Sequence, residues 1–186
     1  MTMGLFDQET WHARTYLGGW TELGGVADAV SPSTGERLGS FALADAGDVQ
    51  TAVDLAASAQ RTWAATSPEE RSAVLRRAAA LVEDGAEELS RWLRDEVGSA
   101  PGKAAFEVGL VVSELQLASA TAMMPFGQLL RTGRPRMSLA RRVPVGVVGV
   151  IAPFNFPAIL SARSVAPALA LGNAVVLKPD PRTTIA

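Results

Sequence analysis

Residues 144–183, PVGVVGVIAPFNFPAILSARSVAPALALGNAVVLKPDPRT, decide the fold into which the rest of the chain must fit. The uninterrupted apolar run at residues 145–151 is typical of a strand that is buried on both faces. Residues 157–171 then supply a helix, a Gly-Asn pair ends it, and residues 174–178 form a second apolar strand. Two such strands joined by one helix predict a parallel βαβ unit.

The chain before this unit divides into a β-rich part and a helical part. In residues 5–41, apolar pieces separated by glycines predict a short helix and then a small hairpin or meander. Residues 45–124 follow a helical period, and two helix starts carry capping residues: Asp45 with Asp48, and Ser67 followed by Pro68 and Glu70. We expect four helices that begin near residues 45, 68, 86 and 103 and end near residues 63, 85, 97 and 124.

Apolar stripes along three of these helices are interpreted as core faces. They are Val49, Ala52, Val53, Ala56 and Ala59; then Val74, Leu75, Ala78, Leu81 and Val82; and finally Val108, Val112, Leu115, Ala118 and Ala122. The Gly- and Arg-rich residues 127–136 are interpreted as a connection, and residues 138–143 as a polar-faced strand.

Composition excludes several classes of function. The 186 residues include no Cys and a single His, which removes thiol nucleophiles, disulfides and multi-His metal centres, so no metal site is expected. With 17 basic residues against 19 acidic ones and no basic stripe, nucleic acid is not an expected partner. Because there is neither a long apolar run nor a signal-peptide pattern, we expect a cytoplasmic protein without membrane contact.

The chemistry is expected where the two strands of the βαβ unit end, because ligands of open parallel sheets bind at the carboxyl ends of strands. These ends are residues 151–157 and 178–181, and neither contains the Gly-x-Gly-x-x-Gly phosphate turn. Two prolines bracket Asn155, whose carboxamide can donate hydrogen bonds to a developing oxyanion. Lys178 can donate to ribose hydroxyls or a phosphate.

A structural role is open for both residues. Asn155 can instead cap the following helix or satisfy the backbone of the turn. Lys178 can be a strand-end lysine whose head reaches solvent. The scarcity of both residue types, two Asn and two Lys in the whole chain, draws attention to them without deciding between these alternatives.

Residues 144–183 closely resemble the N-terminal cofactor-binding region of the aldehyde dehydrogenase superfamily. SPSTGE at residues 31–36, the helical run at residues 48–83 and EVGSAPGKA at residues 96–104 are similar to the family's entry meander and helices. PFNFP at residues 153–157, in place of the more frequent PWNFP, and RSVAPALALGNAVVLKPDPRT at residues 163–183 are most similar to benzaldehyde and related aromatic aldehyde dehydrogenases.

The resemblance implies a fold class and a division of the chain. The class is α/β, the N-terminal part of a Rossmann-like NAD(P)-binding domain with a small β-meander, helices and a βαβ unit, incomplete in this chain. Residues 1–137 would be the meander and helices, residues 138–145 the start of an oligomerisation hairpin, and residues 146–186 the first βαβ unit of the cofactor sheet. A homo-oligomer, dimer or tetramer, is implied for the full-length protein.

The resemblance also implies roles for single residues. Asn155 would be the catalytic side chain of the oxyanion hole. The cofactor, NAD or NADP, would be lined by Ile151, Ala152, Pro153 and Phe154 and bound through its adenosine ribose by Lys178. The family often has a ribose-binding Glu where this chain has Pro181, so the resemblance leaves the choice between the two cofactors open.

Two functions remain as alternatives. The family's catalytic Cys and Glu would lie downstream, so the chain is expected to be an inactive fragment of an enzyme that oxidises an aldehyde, an aromatic one by resemblance, to its acid. The alternative is a truncated, non-catalytic scaffold or interaction module that recruits partners through residues 138–143. Thr183 or Thr184 is expected to cap a following helix.

Overall fold

The N-terminal part of the chain forms two small antiparallel hairpins. The structure, a computed structural model, describes residues 8–186, so residues 5–7 of the expected first helix lie outside the described residues. The elements are α1 (Gln8–Trp11), β1 (Arg14–Tyr16), β2 (Trp20–Glu22), β3 (Gly25–Val30) and β4 (Arg37–Leu43). β1 pairs with β2 and β3 with β4, as expected for a hairpin or meander.

Four helices follow, and their starts confirm the capping signals. They are α2 (Ala46–Ala65), α3 (Pro68–Asp84), α4 (Ala86–Asp95) and α5 (Pro101–Thr121). The Asp45 and Ser67 side chains each accept from the backbone N–H three residues on, and Asp48 and Glu70 accept from the N–H of the cap, so both helices begin with a capping box.

The βαβ unit is present with the expected connection. It consists of β7 (Val147–Ile151), α6 (Pro157–Ala170) and β8 (Ala174–Lys178), and β7 and β8 are parallel with Val147 opposite Ala174 and Ile151 opposite Lys178. Gly172, at φ +83°, ends α6 in a left-handed conformation that favours glycine.

The connection expected at residues 127–136 is wrong in part, because it contains a strand. β5 (Gly127–Leu130) pairs antiparallel with β6 (Ser138–Arg141). A Cβ atom at residue 127 would lie 2.6 Å from the carbonyl oxygen of Ala140. Gly127 therefore permits a close approach of two strands, whereas glycine in the sequence suggested a loop.

Two expectations about burial are also wrong for the described residues. β7 is not buried on both faces: Ile151 is 81% exposed and Val145, just before the strand, 85%, because no other described element covers them. The stripe of α2 is not a core face, since Val49 and Val53 are 50% and 36% exposed and no residue of α2 is fully buried. α2 lies instead against the rim of the βαβ unit, through contacts with β8 and β7.

The core lies where α3, α4 and α6 pack around α5. One cluster joins Leu75 of α3, Ala118 and Ala122 at the end of α5, and Ala166 and Ala170 of α6. A second cluster joins Leu89 and Leu93 of α4 to Ala104 and Val108 of α5. Leu75, Ala118, Ala122 and Val108 were expected in the core, whereas Val74 and Leu81 of the α3 stripe are 37% and 57% exposed. Among residues 8–186, no helix combines the length and apolar character needed to cross a membrane.

Asn173 connects the start of β7 to the end of α6. The side chain is buried, its Oδ1 accepts from the backbone N–H of Val145 (2.7 Å) and Gly146 (3.1 Å), and its Nδ2 donates to the carbonyl of Ala168 (3.0 Å). One carboxamide thus satisfies three backbone groups, two just before β7 and one in α6, which fixes where β7 begins relative to α6.

Replacing Asn173 by Ala is expected to lower the free energy of unfolding by about 2 kcal/mol, because it leaves partly buried backbone groups without partners. Urea unfolding measures this change. Asn155→Ala is the matched control, since that side chain is exposed, and it should change stability by less than about 0.5 kcal/mol. Equal effects of the two substitutions would contradict the role of Asn173.

Candidate functional site

The carboxyl ends of β7 and β8 lie side by side. Ile151 is opposite Lys178 in the parallel register, and the N–H of Ala152 donates to the carbonyl of Lys178 at 3.0 Å. The turn of residues 152–156 and the segment of residues 179–183 therefore leave the sheet at the same edge. The two stretches singled out in the sequence are brought together as expected.

A cation stacked on an aromatic ring joins these two segments. The guanidinium carbon of Arg182 lies 3.7 Å from the centre of the Phe154 ring. Asp180 accepts from both Nε (2.8 Å) and Nη2 (3.0 Å) of Arg182, and this pairing lowers the pKa of Asp180 to about 2. Asp180 is thus an anion over the whole physiological range, and the pair orients the guanidinium over the ring.

Most of the residues expected at the site face solvent at this edge. Ile151 is 81% exposed and Phe154 is 44% exposed. Four more of the expected site residues are exposed: Pro153, Asn155, Lys178 and Pro181. Ala152 differs, because it is buried and 4% exposed. Its N–H is also engaged by the carbonyl of Lys178, so Ala152 exposes little surface to a ligand.

The helix-capping alternative for Asn155 is not observed. The N-cap of α6 is Phe156, and no side chain of the turn caps the helix. Within residues 8–186 the Asn155 carboxamide makes no hydrogen bond, and the Lys178 ammonium makes neither a hydrogen bond nor a salt bridge. Both groups are thus available to a ligand at the mouth of the sheet.

The start of α6 is satisfied by a residue that sequence reasoning missed. Glu107 of α5 is fully buried, and its Oε1 accepts from the N–H groups of Ala158 (2.9 Å) and Ile159 (3.3 Å). Its Oε2 accepts from Nζ of Lys103 at 3.2 Å. One signal was present in the sequence: Lys103 is one of only two lysines, and it lies four residues before Glu107.

This arrangement bears on how a phosphate could be bound. The N-terminus of a helix is an anion site when its N–H groups are free. Here a carboxylate already occupies the amides of Ala158 and Ile159. The start of α6 is therefore closed to a pyrophosphate, in agreement with the missing Gly-x-Gly-x-x-Gly turn.

A second buried carboxylate fixes the segment that carries Arg182. Glu96, just after α4, accepts from the N–H groups of Thr184 (2.8 Å), Ile185 (3.0 Å) and Ala186 (2.8 Å). The described residues contain no helix after β8, so the cap by Thr183 or Thr184 stays a prediction. The Thr183 hydroxyl is buried without a partner in residues 8–186, and Glu96 satisfies the amides that follow. Burial raises the pKa of the Glu96 carboxyl because desolvation outweighs its backbone donors.

Charge around the site is predominantly positive. No Asp or Glu occurs at residues 115–179, while Arg163 and Lys178 lie on α6 and β8. Asp180 is the first acid after this stretch and is paired with Arg182. No cluster of three or more His, Asp and Glu side chains occurs among residues 8–186 that could hold a metal ion.

The fold is that of part of an aldehyde dehydrogenase. The family model described as the aldehyde dehydrogenase family matches residues 20–186, and the chain belongs to this family. It is 53% identical to a vanillin dehydrogenase of an Amycolatopsis species, over 98% of the chain and 38% of that protein. It is also 45% identical to a benzaldehyde dehydrogenase [NAD(+)] of Pseudomonas putida, over 96% of the chain and 37% of that protein.

A solved structure extends the likeness to three dimensions. The NAD-dependent benzaldehyde dehydrogenase from Corynebacterium glutamicum superimposes with a TM-score of 0.86 at 39% identity, covering 94% of this chain and 38% of that one. The α/β architecture is thus a part of the NAD(P)-binding domain of this family. The chain spans less than two-fifths of the length of these relatives.

The stability that Glu96 contributes is expected to depend on pH. Because the pKa in the folded state is raised above the usual 4.5, this contribution is fully present below pH 4.5 and is lost as the pH rises through the raised pKa. The melting temperature of the wild type minus that of Glu96→Gln should therefore fall as the pH rises above 4.5. A difference that rises over this range would contradict the raised pKa.

Proposed function

We propose that this chain is the cofactor-binding and oxyanion half of the active site of an NAD(P)-dependent aldehyde dehydrogenase. The observation that carries the proposal is the pair of unengaged polar groups, Asn155 and Lys178, at the carboxyl edge of β7 and β8 in a member of this family. The substrate is an aldehyde and the product its carboxylic acid.

The donor set at the edge fits a nicotinamide dinucleotide. Lys178 offers an exposed ammonium to the adenosine ribose, while Ile151 and Phe154 offer exposed apolar surface beside it. Pro153 and the backbone of Ala152 complete this wall. The bound nicotinamide supplies the hydride acceptor that oxidation of an aldehyde requires. Relatives are named for NAD(+) and for NADP(+), and Pro181 supplies no carboxylate to repel a 2′-phosphate, so both cofactors fit.

Asn155 is assigned the chemistry at the aldehyde oxygen. When a nucleophile adds to the carbonyl, negative charge develops on this oxygen, and a preorganised amide donor stabilises it more than the ground state. The prolines on either side of Phe154 and Phe156 restrict the turn that carries Asn155. The side chain has no hydrogen bond in the described chain that it would have to break to reach this oxygen.

The nucleophile and the general base lie outside this chain. The 186 residues contain no Cys, so we assign the catalytic Cys to a longer protein. The family resemblance places the general base, a Glu, there as well, and we expect the chain alone to be inactive. The coverage of 37–38% of the relatives supports a fragment. We divide the chain into three parts. The meander and the helices occupy residues 1–137, an oligomerisation hairpin begins at residues 138–145, and the βαβ unit occupies residues 146–186.

The proposed substrate class is the aromatic aldehydes. The support is the identity of 53% and 45% to enzymes named for vanillin and benzaldehyde. The homo-oligomer and the cytoplasmic location expected from the sequence remain predictions for the full-length protein. The alternative function, a non-catalytic scaffold, also remains a prediction. It would bind partners through the exposed β5–β6 hairpin.

In the full-length protein, Asn155→Ala is expected to lower kcat for benzaldehyde oxidation by about 100-fold, the effect of removing one oxyanion donor. Formation of NADH or NADPH at 340 nm measures the rate. KM for the cofactor should change little, because Lys178 and the apolar wall stay in place.

Gln116→Ala is the matched control, because it removes another exposed carboxamide, on α5, and it should leave kcat unchanged. An unchanged kcat in Asn155→Ala would remove Asn155 from the mechanism. A full-length protein that oxidises no aldehyde with either cofactor would favour the scaffold.

A further inference from the structure

The most deeply buried charge in the described chain lies directly beneath the turn that carries Asn155. Glu107 has no exposed surface, and each of its carboxylate oxygens is engaged: Oε1 by the N–H groups of Ala158 and Ile159, and Oε2 by Lys103. A buried carboxylate is costly unless it is paired and hydrogen-bonded. The three donor atoms that satisfy it, the amide nitrogens of Ala158 and Ile159 and Nζ of Lys103, therefore have to stay in place.

Lys103 links this carboxylate to the turn by a second contact. Its Nζ lies 4.2 Å from the centre of the Phe156 ring and also donates to Oγ of Ser99 at 2.8 Å. Phe156 is the N-cap of α6 and follows Asn155 directly. The Lys103–Glu107 pair thus contacts the last residue of the turn through the Phe156 ring and the start of α6 through two backbone amides.

The turn is fixed at both of its ends by these contacts. At its start, the N–H of Ala152 is bonded to β8. At its end, Glu107 binds Ala158 and Ile159. Asn155 lies between the two, and its side chain has no partner of its own within residues 8–186, so its position depends on these two anchors. A displacement of about 1 Å at a reacting centre can cost about 100-fold in rate.

We propose that Glu107, paired with Lys103, is a positioning residue that sets the place of Asn155 through the backbone of the turn. The proposal rests on the proposed function, because it gives Asn155 the oxyanion role. It adds a residue of α5, outside the sheet edge, to the residues on which the rate depends.

Glutamine at position 107 separates positioning from simple packing. A glutamine side chain has the shape of the carboxylate, but only its oxygen accepts hydrogen bonds. That oxygen can bind either the two N–H groups or Lys103. The NH2 group then faces the donor that the oxygen does not bind. Adding Lys103→Met removes that conflict, because the amide oxygen can serve the N–H groups without an ammonium opposite its NH2 group. The double variant is therefore a rescue.

The first measurement is steady-state kinetics of the full-length enzyme with benzaldehyde. Glu107→Gln should lower kcat by about tenfold or more, with KM for the cofactor within about threefold. Lys103→Met/Glu107→Gln should regain most of kcat. Glu114→Gln, on the same helix and without a hydrogen bond in the described chain, is the control and should match the wild type.

The second measurement is amide hydrogen exchange of the full-length protein, followed by mass spectrometry. In Glu107→Gln, exchange should quicken in peptides covering residues 152–160 and stay unchanged in α3. This readout does not need activity. If the wild type oxidises no aldehyde, the proposed function fails and the exchange result alone decides whether Glu107 fixes the turn.

Three results would overturn the proposal. They are an unchanged kcat in Glu107→Gln, unchanged exchange at residues 152–160, and a double variant as slow as the single one. A lower melting temperature with normal kcat would show that Glu107 only stabilises the fold.

Discussion

The buried carboxylate of Glu107 is the constraint on which the candidate site depends. A charge with no access to water must be matched by donors at fixed positions, and these come from Lys103 and from the first turn of α6. The helical core and the βαβ unit are joined at this point. Farther along, Trp63 donates to the carbonyl of Leu169, near the other end of α6. With both ends fixed, α6 determines where the preceding turn lies.

The same constraint shapes the chemistry available at the sheet edge. Because Glu107 occupies the amides of Ala158 and Ile159, the start of α6 offers a phosphate no free N–H group at these two positions. The ligand surface shifts to the exposed groups beside it: the Asn155 carboxamide, the Lys178 ammonium and the ring of Phe154 under Arg182. This surface suits a ribose, a nicotinamide and a carbonyl oxygen, which are the groups an aldehyde dehydrogenase brings together.

Short-range sequence signals predicted the helices and strands, whereas contacts between residues far apart in the chain determine the geometry of the candidate site. The capping boxes at Asp45 and Ser67 and the apolar strands of the βαβ unit could be predicted because their partners lie within a few residues. Lys103, four residues before Glu107, is a local signal for that carboxylate. Glu107 binds amides 51 and 52 residues away, however, and Glu96 binds amides 88 to 90 residues away, so no local pattern reveals which amides they bind. The prediction of a loop at Gly127 was wrong for a related reason. The group that requires glycine there, the carbonyl of Ala140, comes from another strand.

The most direct test of the dinucleotide site is hydrogen exchange in the full-length protein with and without NAD+ or NADP+. Within this part of the protein, binding should protect peptides that cover residues 151–156 and 178–183 and leave the hairpins of β1 to β4 unchanged. Protection confined to the hairpins, or none at the two strand ends, would contradict the assignment of this edge to the cofactor.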